Sequence, residues 1–146
     1  MRRSLLISVA LAAAVSSCSS CPDQCLNTGT QVHLVRRVGD FGVPGDQLRF
    51  RVATDLGVSV TDCTMVAAGK AECTNTGVTA SVAQSTGGRI REIVLAFPPR
   101  PQTITVTVLH VSGDSVVAGP ASSRITYPSD EGACSCPAGQ SIRIEM

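Results

Sequence analysis

Tryptophan is absent from this chain, tyrosine occurs once, and phenylalanine occurs three times in 146 residues. A core made from such material rests on Val, Ile, Leu and Ala, and needs some further brace to make up for the missing large side chains. The same shortage disfavours sugar recognition, which relies on exposed aromatic platforms. Charge is scarce too: 16% of residues are Asp, Glu, Lys or Arg, and the formal net charge is +1. Nucleic-acid binding is excluded on that ground, because a phosphate backbone calls for a strong positive excess. No apolar run approaches the roughly 20 residues of a spanning helix. Phosphate-binding glycine loops, dinucleotide fingerprints, His-Glu-x-x-His helices and Gly-x-Ser-x-Gly elbows are all missing. Gly113-Asp114-Ser115 reads as a polar turn, and no small-molecule substrate is identified.

What is present begins at the amino end. Arg2 and Arg3 precede an almost unbroken apolar run over residues 5–15, and small residues follow, which is the layout of an export signal. The run closes on Val15-Ser16-Ser17-Cys18. This quartet resembles the lipobox of bacterial lipoprotein precursors, a branched apolar residue and two small ones directly before a cysteine. The resemblance covers residues 1–18 and implies that Cys18 receives a diacylglycerol, that residues 1–17 are removed, and that the new amino end is acylated, commonly with palmitate. Two or three acyl chains hold a protein at a membrane, whereas one does so only marginally. Ser19 implies the outer membrane, since the enteric sorting rule reserves inner-membrane retention for aspartate there. The rival reading is an ordinary export signal cut near Ser17 or Ser20, which leaves a soluble product. The expected organisation is a signal peptide at 1–17, a cysteine-bearing tether at 18–30 and one domain over 31–146.

Seven cysteines are many for this length. With Cys18 acylated, an even six remain at 21, 25, 63, 73, 134 and 136, and an exported chain pairs its thiols by default. Between Cys63 and Cys73 the residues suggest a hairpin turning on Ala67-Ala68-Gly69, so that 66 faces 70 and Cys63 faces Cys73 within bridging distance. A Cys63–Cys73 disulfide is therefore expected. A bridge between Cys134 and Cys136 closes too tight a ring, and the easier solutions join Cys21 and Cys25 to Cys134 and Cys136. The alternative use of these four thiols is a metal or redox site, zinc being the usual tenant of four thiolates.

Downstream, the period-two alternation of half-buried strands is clear over residues 47–54 and 102–110, and weaker over 32–38, 78–82, 91–97, 124–127 and 142–145. Glycine- and proline-rich turns separate these stretches, and no segment after residue 20 shows helical spacing. The reading is all-β: a disulfide-stapled antiparallel β-sandwich of immunoglobulin or fibronectin III character.

Within that fold few residues suggest chemistry. His33 and His110 fall in strands, where they make either solvated faces or half of a metal or general-base site. Asp40 with Asp46, and Asp130 with Glu131, supply too few oxygens per loop for calcium. Residues 97–101, Phe-Pro-Pro-Arg-Pro, fit a crossing between strands better than a polyproline ligand. If the first two strands are neighbours, Arg36, Arg49, Arg51 and Arg91 form a stripe for anionic lipid headgroups or an acidic partner; the alternative, favoured here, is a solvated sheet face with Asp and Glu interspersed. The combined expectation is a membrane-anchored envelope lipoprotein that is not an enzyme, carries no cofactor or metal, and presents a binding or structural module to an envelope protein. The alternative is a metal-handling or redox protein using the four clustered thiols or the two histidines.

Overall fold

A computed structural model describes residues 29–74, 77–128 and 139–146. Ten strands and no helix are found among them: β1 Thr30–Val35, β2 Gln47–Thr54, β3 Gly57–Thr64, β4 Gly69–Lys70, β5 Glu72–Cys73, β6 Thr79–Thr86, β7 Arg89–Phe97, β8 Thr103–His110, β9 Val116–Arg124 and β10 Gln140–Glu145. They pair into two five-stranded sheets, ordered β10-β1-β7-β6-β4 and β5-β3-β2-β8-β9.

Alternation decides which faces meet. Val32 and Leu34 of β1, Leu48, Phe50 and Val52 of β2, Ile93 and Leu95 of β7, and Ile104, Val106 and Val108 of β8 are all buried. They join one cluster shared by both sheets, which is the core of a sandwich. Two of its largest members are Phe41 and Phe50, both fully buried. The remainder of the cluster is almost entirely aliphatic, as the composition requires.

The expected architecture is present, with three differences. The first concerns strand direction. β10 pairs with β1 in parallel, Thr30 opposite Gln140 through Val35 opposite Glu145, so the first sheet is mixed and not purely antiparallel. Strand order otherwise follows that of immunoglobulin domains, with β1, β7 and β6 where B, E and D lie and β9, β8, β2 and β3 where G, F, C and C′ lie. The place of the first strand, A, is taken by the last strand of the chain.

The second difference lies around the disulfide. Cys63 and Cys73 are register partners, as expected, but residues 67–69 do not close a hairpin between them. After Met65, whose N–H donates to Asp46 O, the chain crosses to the other sheet. Gly69 and Lys70 pair with β6, and the Ala71 N–H donates to Ala80 O, before the chain returns as β5. Residue 66 therefore does not face 70. The third difference is one of extent. Residues 57–62 of β3 and most of β9 lie where no strand is expected, while residues 36–38 and 125–127, expected as strand, lie beyond the ends of β1 and β9.

The chain crosses between sheets at residues 98–102, and this crossing is tied to the start of β1. Thr30, 1% exposed, donates its hydroxyl to Pro99 O at 2.8 Å and lies 2.7 Å from the Tyr127 hydroxyl. Tyr127 OH also donates to Pro101 O at 3.0 Å. With two hydroxyl protons among three contacts, only two of them carry a hydrogen bond at one time; the Arg100 guanidinium lies over the Tyr127 ring, 4.5 Å from its centroid. Asp55, in the β2–β3 turn, accepts from the backbone N–H groups of Gln102 and Thr103 at 2.8 and 3.0 Å. The basal end of the sandwich accordingly holds the start of β1, the β2–β3 turn, the crossing at 98–102 and Tyr127. The apical end holds the loop at residues 36–46 and the β6–β7 and β8–β9 turns.

Candidate functional site

Cys18, Cys21, Cys25, Cys134 and Cys136, together with Asp130 and Glu131, lie outside the described residues. The described residues do fix where the flanking segments arrive. Gln140 N–H donates to Gly29 O at 3.2 Å, and Thr30 stands opposite Gln140 in register. Residues 29 and 139 therefore reach the basal end side by side. The Cys63–Cys73 bridge is present, with a Cα–Cα separation of 4.0 Å.

The four arginines do not form one stripe, because β1 and β2 belong to different sheets. Arg36, just past β1, lies at the apical end, donating from Nη1 to Val117 O at 2.6 Å and from Nε to Val38 O at 3.1 Å. Arg91 donates to Gly39 O in the same loop. Both cations are thus holding backbone carbonyls. Arg49 lies on the outer face of the second sheet, directly opposite Asp62, and binds that carboxylate with two parallel hydrogen bonds of 2.7 and 2.9 Å. Asp114, across the β8–β9 turn, is a further partner. These bonds hold the Asp62 carboxyl below its ordinary range, with partial burial acting against them, and they raise the Arg49 pKa above its ordinary value. Arg51 stays exposed one pleat away, opposite Val60 and Thr107, and makes no ion pair among the described residues.

The two histidines are also separated by sheet, β1 for His33 and β8 for His110. His33 Nδ1 lies 2.6 Å from Glu92 Oε1, in a diagonal pair between β1 and β7, and Arg37 reaches Glu145 at 2.6 Å on the neighbouring strand pair. These contacts lace the outer face of the first sheet. No group of three or more His, Cys, Asp or Glu that could hold a metal occurs among the described residues.

The loop acids have local duties. Asp40 accepts from Gly42 N–H at 2.9 Å and faces Arg89, while Asp46 accepts from Val43 N–H at 2.9 Å, so each shapes its own turn. Asp55 was not singled out by pattern, yet its carboxyl is held below the ordinary range, chiefly by the Thr103 N–H. Its signal is legible afterwards: an aspartate at a tight turn two residues before Gly57, a glycine with φ 144°.

Two surface features complete the site. A cleft of about 610 Å³ opens at the basal end between Thr30, Phe97, Pro98 and Gln140, lined by small, apolar and amide side chains and by backbone. Among the described residues no ionisable side chain lines it, and its wall residues adjoin the segments that precede 29, 77 and 139. The second feature is an apolar strip: Leu56, Val58 and Val60 are 64%, 59% and 46% exposed, on the β2–β3 turn and the first half of β3. Sequence reasoning missed it because alternation was read as inside against outside, and here the valines point out while Ser59 and Thr61 take the other face. No family model, no curated protein and no solved structure matches this chain.

Proposed function

We propose that the chain is an exported lipoprotein, acylated at Cys18 and resident in the outer membrane, whose β-sandwich serves without catalysis as a binding or structural module for another envelope protein. The tether expected over 18–30 ends before Thr30, where β1 begins. The observation that carries the non-catalytic reading is the use made of the polar side chains. Arg36, Arg49, Asp40, Asp46, Asp55, Asp62 and Glu92 each close a loop, a turn or a strand pair. The entry of residues 29 and 139 side by side supports joining Cys21 and Cys25 to Cys134 and Cys136 by disulfides. Such links close loops of more than a hundred residues and would contribute on the order of 4–5 kcal/mol in the chain-entropy model.

The test is intact-mass analysis of material from the native host. The expected product starts at Cys18, carries a diacylglycerol and an amide-linked acyl chain, and contains six oxidised sulfurs. A retained start methionine or an unacylated soluble product overturns the anchor. Free thiols with stoichiometric zinc overturn the disulfide assignment and favour metal handling. Crosslinking of the natively anchored protein then identifies the envelope partner.

A further inference from the structure

We infer that the strip formed by Leu56, Val58 and Val60, with Arg51 beside it, is a lipid-docking edge that lays the domain against the bilayer carrying its anchor. The inference rests on the proposed acylation of Cys18 and adds to it an orientation and a second membrane contact.

Single exposed apolar residues are ordinary, but these three follow one another along one turn and one strand. They begin at the basal end, where the chain arrives from Cys18. Asp55, which precedes Leu56, is hydrogen-bonded to the same crossing that is bonded to Thr30. Eleven residue steps separate Cys18 from Gly29, at most about 40 Å if fully extended, so the basal end cannot stand far from the lipid.

The dimensions of the strip suit an interface. A strand rises about 3.3 Å per residue, so Leu56 to Val60 spans roughly 13 Å, against the 5–10 Å to which interfacial apolar faces sink. With Leu56 at the acyl boundary, Val58 is still within that layer, and Val60 lies at the level of the headgroups. Arg51 is the register partner of Val60 on the same outer face. An exposed guanidinium that makes no ion pair among the described residues is therefore held at the height of the lipid phosphates, the group it binds best. Asp55, the carboxylate at the tip among the described residues, is occupied by backbone donors.

The absence of tryptophan makes the test clean. The full acylated protein carrying Leu56→Trp is reconstituted in vesicles of phosphatidylethanolamine and phosphatidylglycerol, with Val116→Trp, at an exposed apical position, as the comparison. The expected result is emission from position 56 shifted to shorter wavelength on vesicles. Quenching by lipids brominated on the acyl chain should be at least about twofold deeper there than at position 116. Adding Arg51→Gln should weaken the shift on anionic vesicles and leave it unchanged on phosphatidylcholine. An acylated protein that floats with the vesicles while Trp at 56 emits as in water overturns this inference and leaves the anchor standing. Emission already shifted without vesicles, and unquenched with them, means that another part of the chain covers the strip, and also overturns it. An unacylated protein that does not float, with no shift at 56, overturns both readings. Quenching at 56 in an unacylated protein supports the docking edge alone.

Discussion

Replacing both Cys63 and Cys73 with alanine should destabilise the domain by about 3–4 kcal/mol. The bridge spans a sequence separation of 10. A ring of that size removes about 2.7 kcal/mol of conformational entropy from the unfolded chain in the loop-closure model. Cys63 is 1% exposed, so loss of its sulfur also leaves a small void in the core, worth roughly a further 1 kcal/mol. The clasp holds a stretch that does little to hold itself. Between the two cysteines the chain leaves the second sheet, pairs through Gly69 and Lys70 with β6, and returns. Without the bridge, this excursion depends on a two-residue strand at each side. A domain of this size has about 5–15 kcal/mol to lose. Urea unfolding followed by circular dichroism, with no reductant added, should show the midpoint falling by roughly 1–4 M for an m-value of about 1–3 kcal/mol/M. A loss below about 1 kcal/mol would show that β4 and β5 hold this crossing unaided, and would refute the reasoning.

Three further outcomes follow from the polar contacts. The Asp55 and Asp62 carboxyls are both held below their ordinary value. Their contribution is therefore complete above the unfolded carboxylate value near 4 and is lost as pH falls through the lowered native values. Asp55→Asn with Asp62→Asn should lower the urea midpoint at neutral pH and flatten its decline below about pH 4; an unchanged acid limb contradicts the assignment. Tyr127→Phe removes the donor to Pro101 O and the hydroxyl beside Thr30, and should cost about 1–2 kcal/mol in the same assay. Gly42→Ala places a Cβ on a backbone with φ 111° and into the Asp46 carboxylate, whereas Gly45→Ala, at φ 99°, meets nothing within 4 Å. Thermal melts should show the first variant losing more stability than the second by about 1 kcal/mol or more, and equal losses would contradict the structural role given to Asp46.

Legibility from sequence varied with the regularity of the pattern. β2 is found at Gln47–Thr54, the very residues the alternation marks, because Leu48, Phe50 and Val52 face the core while Gln47 and Arg51 face water. β9 was hidden because Gly119 and Pro120 interrupt it, and proline is tolerated in a strand only at an edge, which is where β9 lies. The Cys63–Cys73 pairing was reached through a turn that does not exist: bridging distance constrains the two ends of a loop and says nothing of the path between them. The arginine stripe depended on β1 and β2 being neighbours. Adjacency in sequence fails at the points where a sandwich changes sheets, and nothing local in residues 36–46 marks such a change.

Strand direction is the least legible property of all, since a period of two is the same read either way. The parallel pairing of β10 with β1 is nonetheless the feature on which the organisation of this protein turns. Had the last strand run antiparallel to β1, residue 139 would have reached the apical end, far from residue 29, and the two cysteine-bearing segments would have been held apart. Parallel pairing brings residues 29 and 139 to the basal end, which also carries Leu56. On the proposed function, an anchor at Cys18, braces between the flanking segments and an apolar edge would all act at this one end of the sandwich. The apical loops, shaped by Arg36, Asp40, Asp46 and Arg91, would then face away from the membrane, which is where the proposed function would have its envelope partner bind.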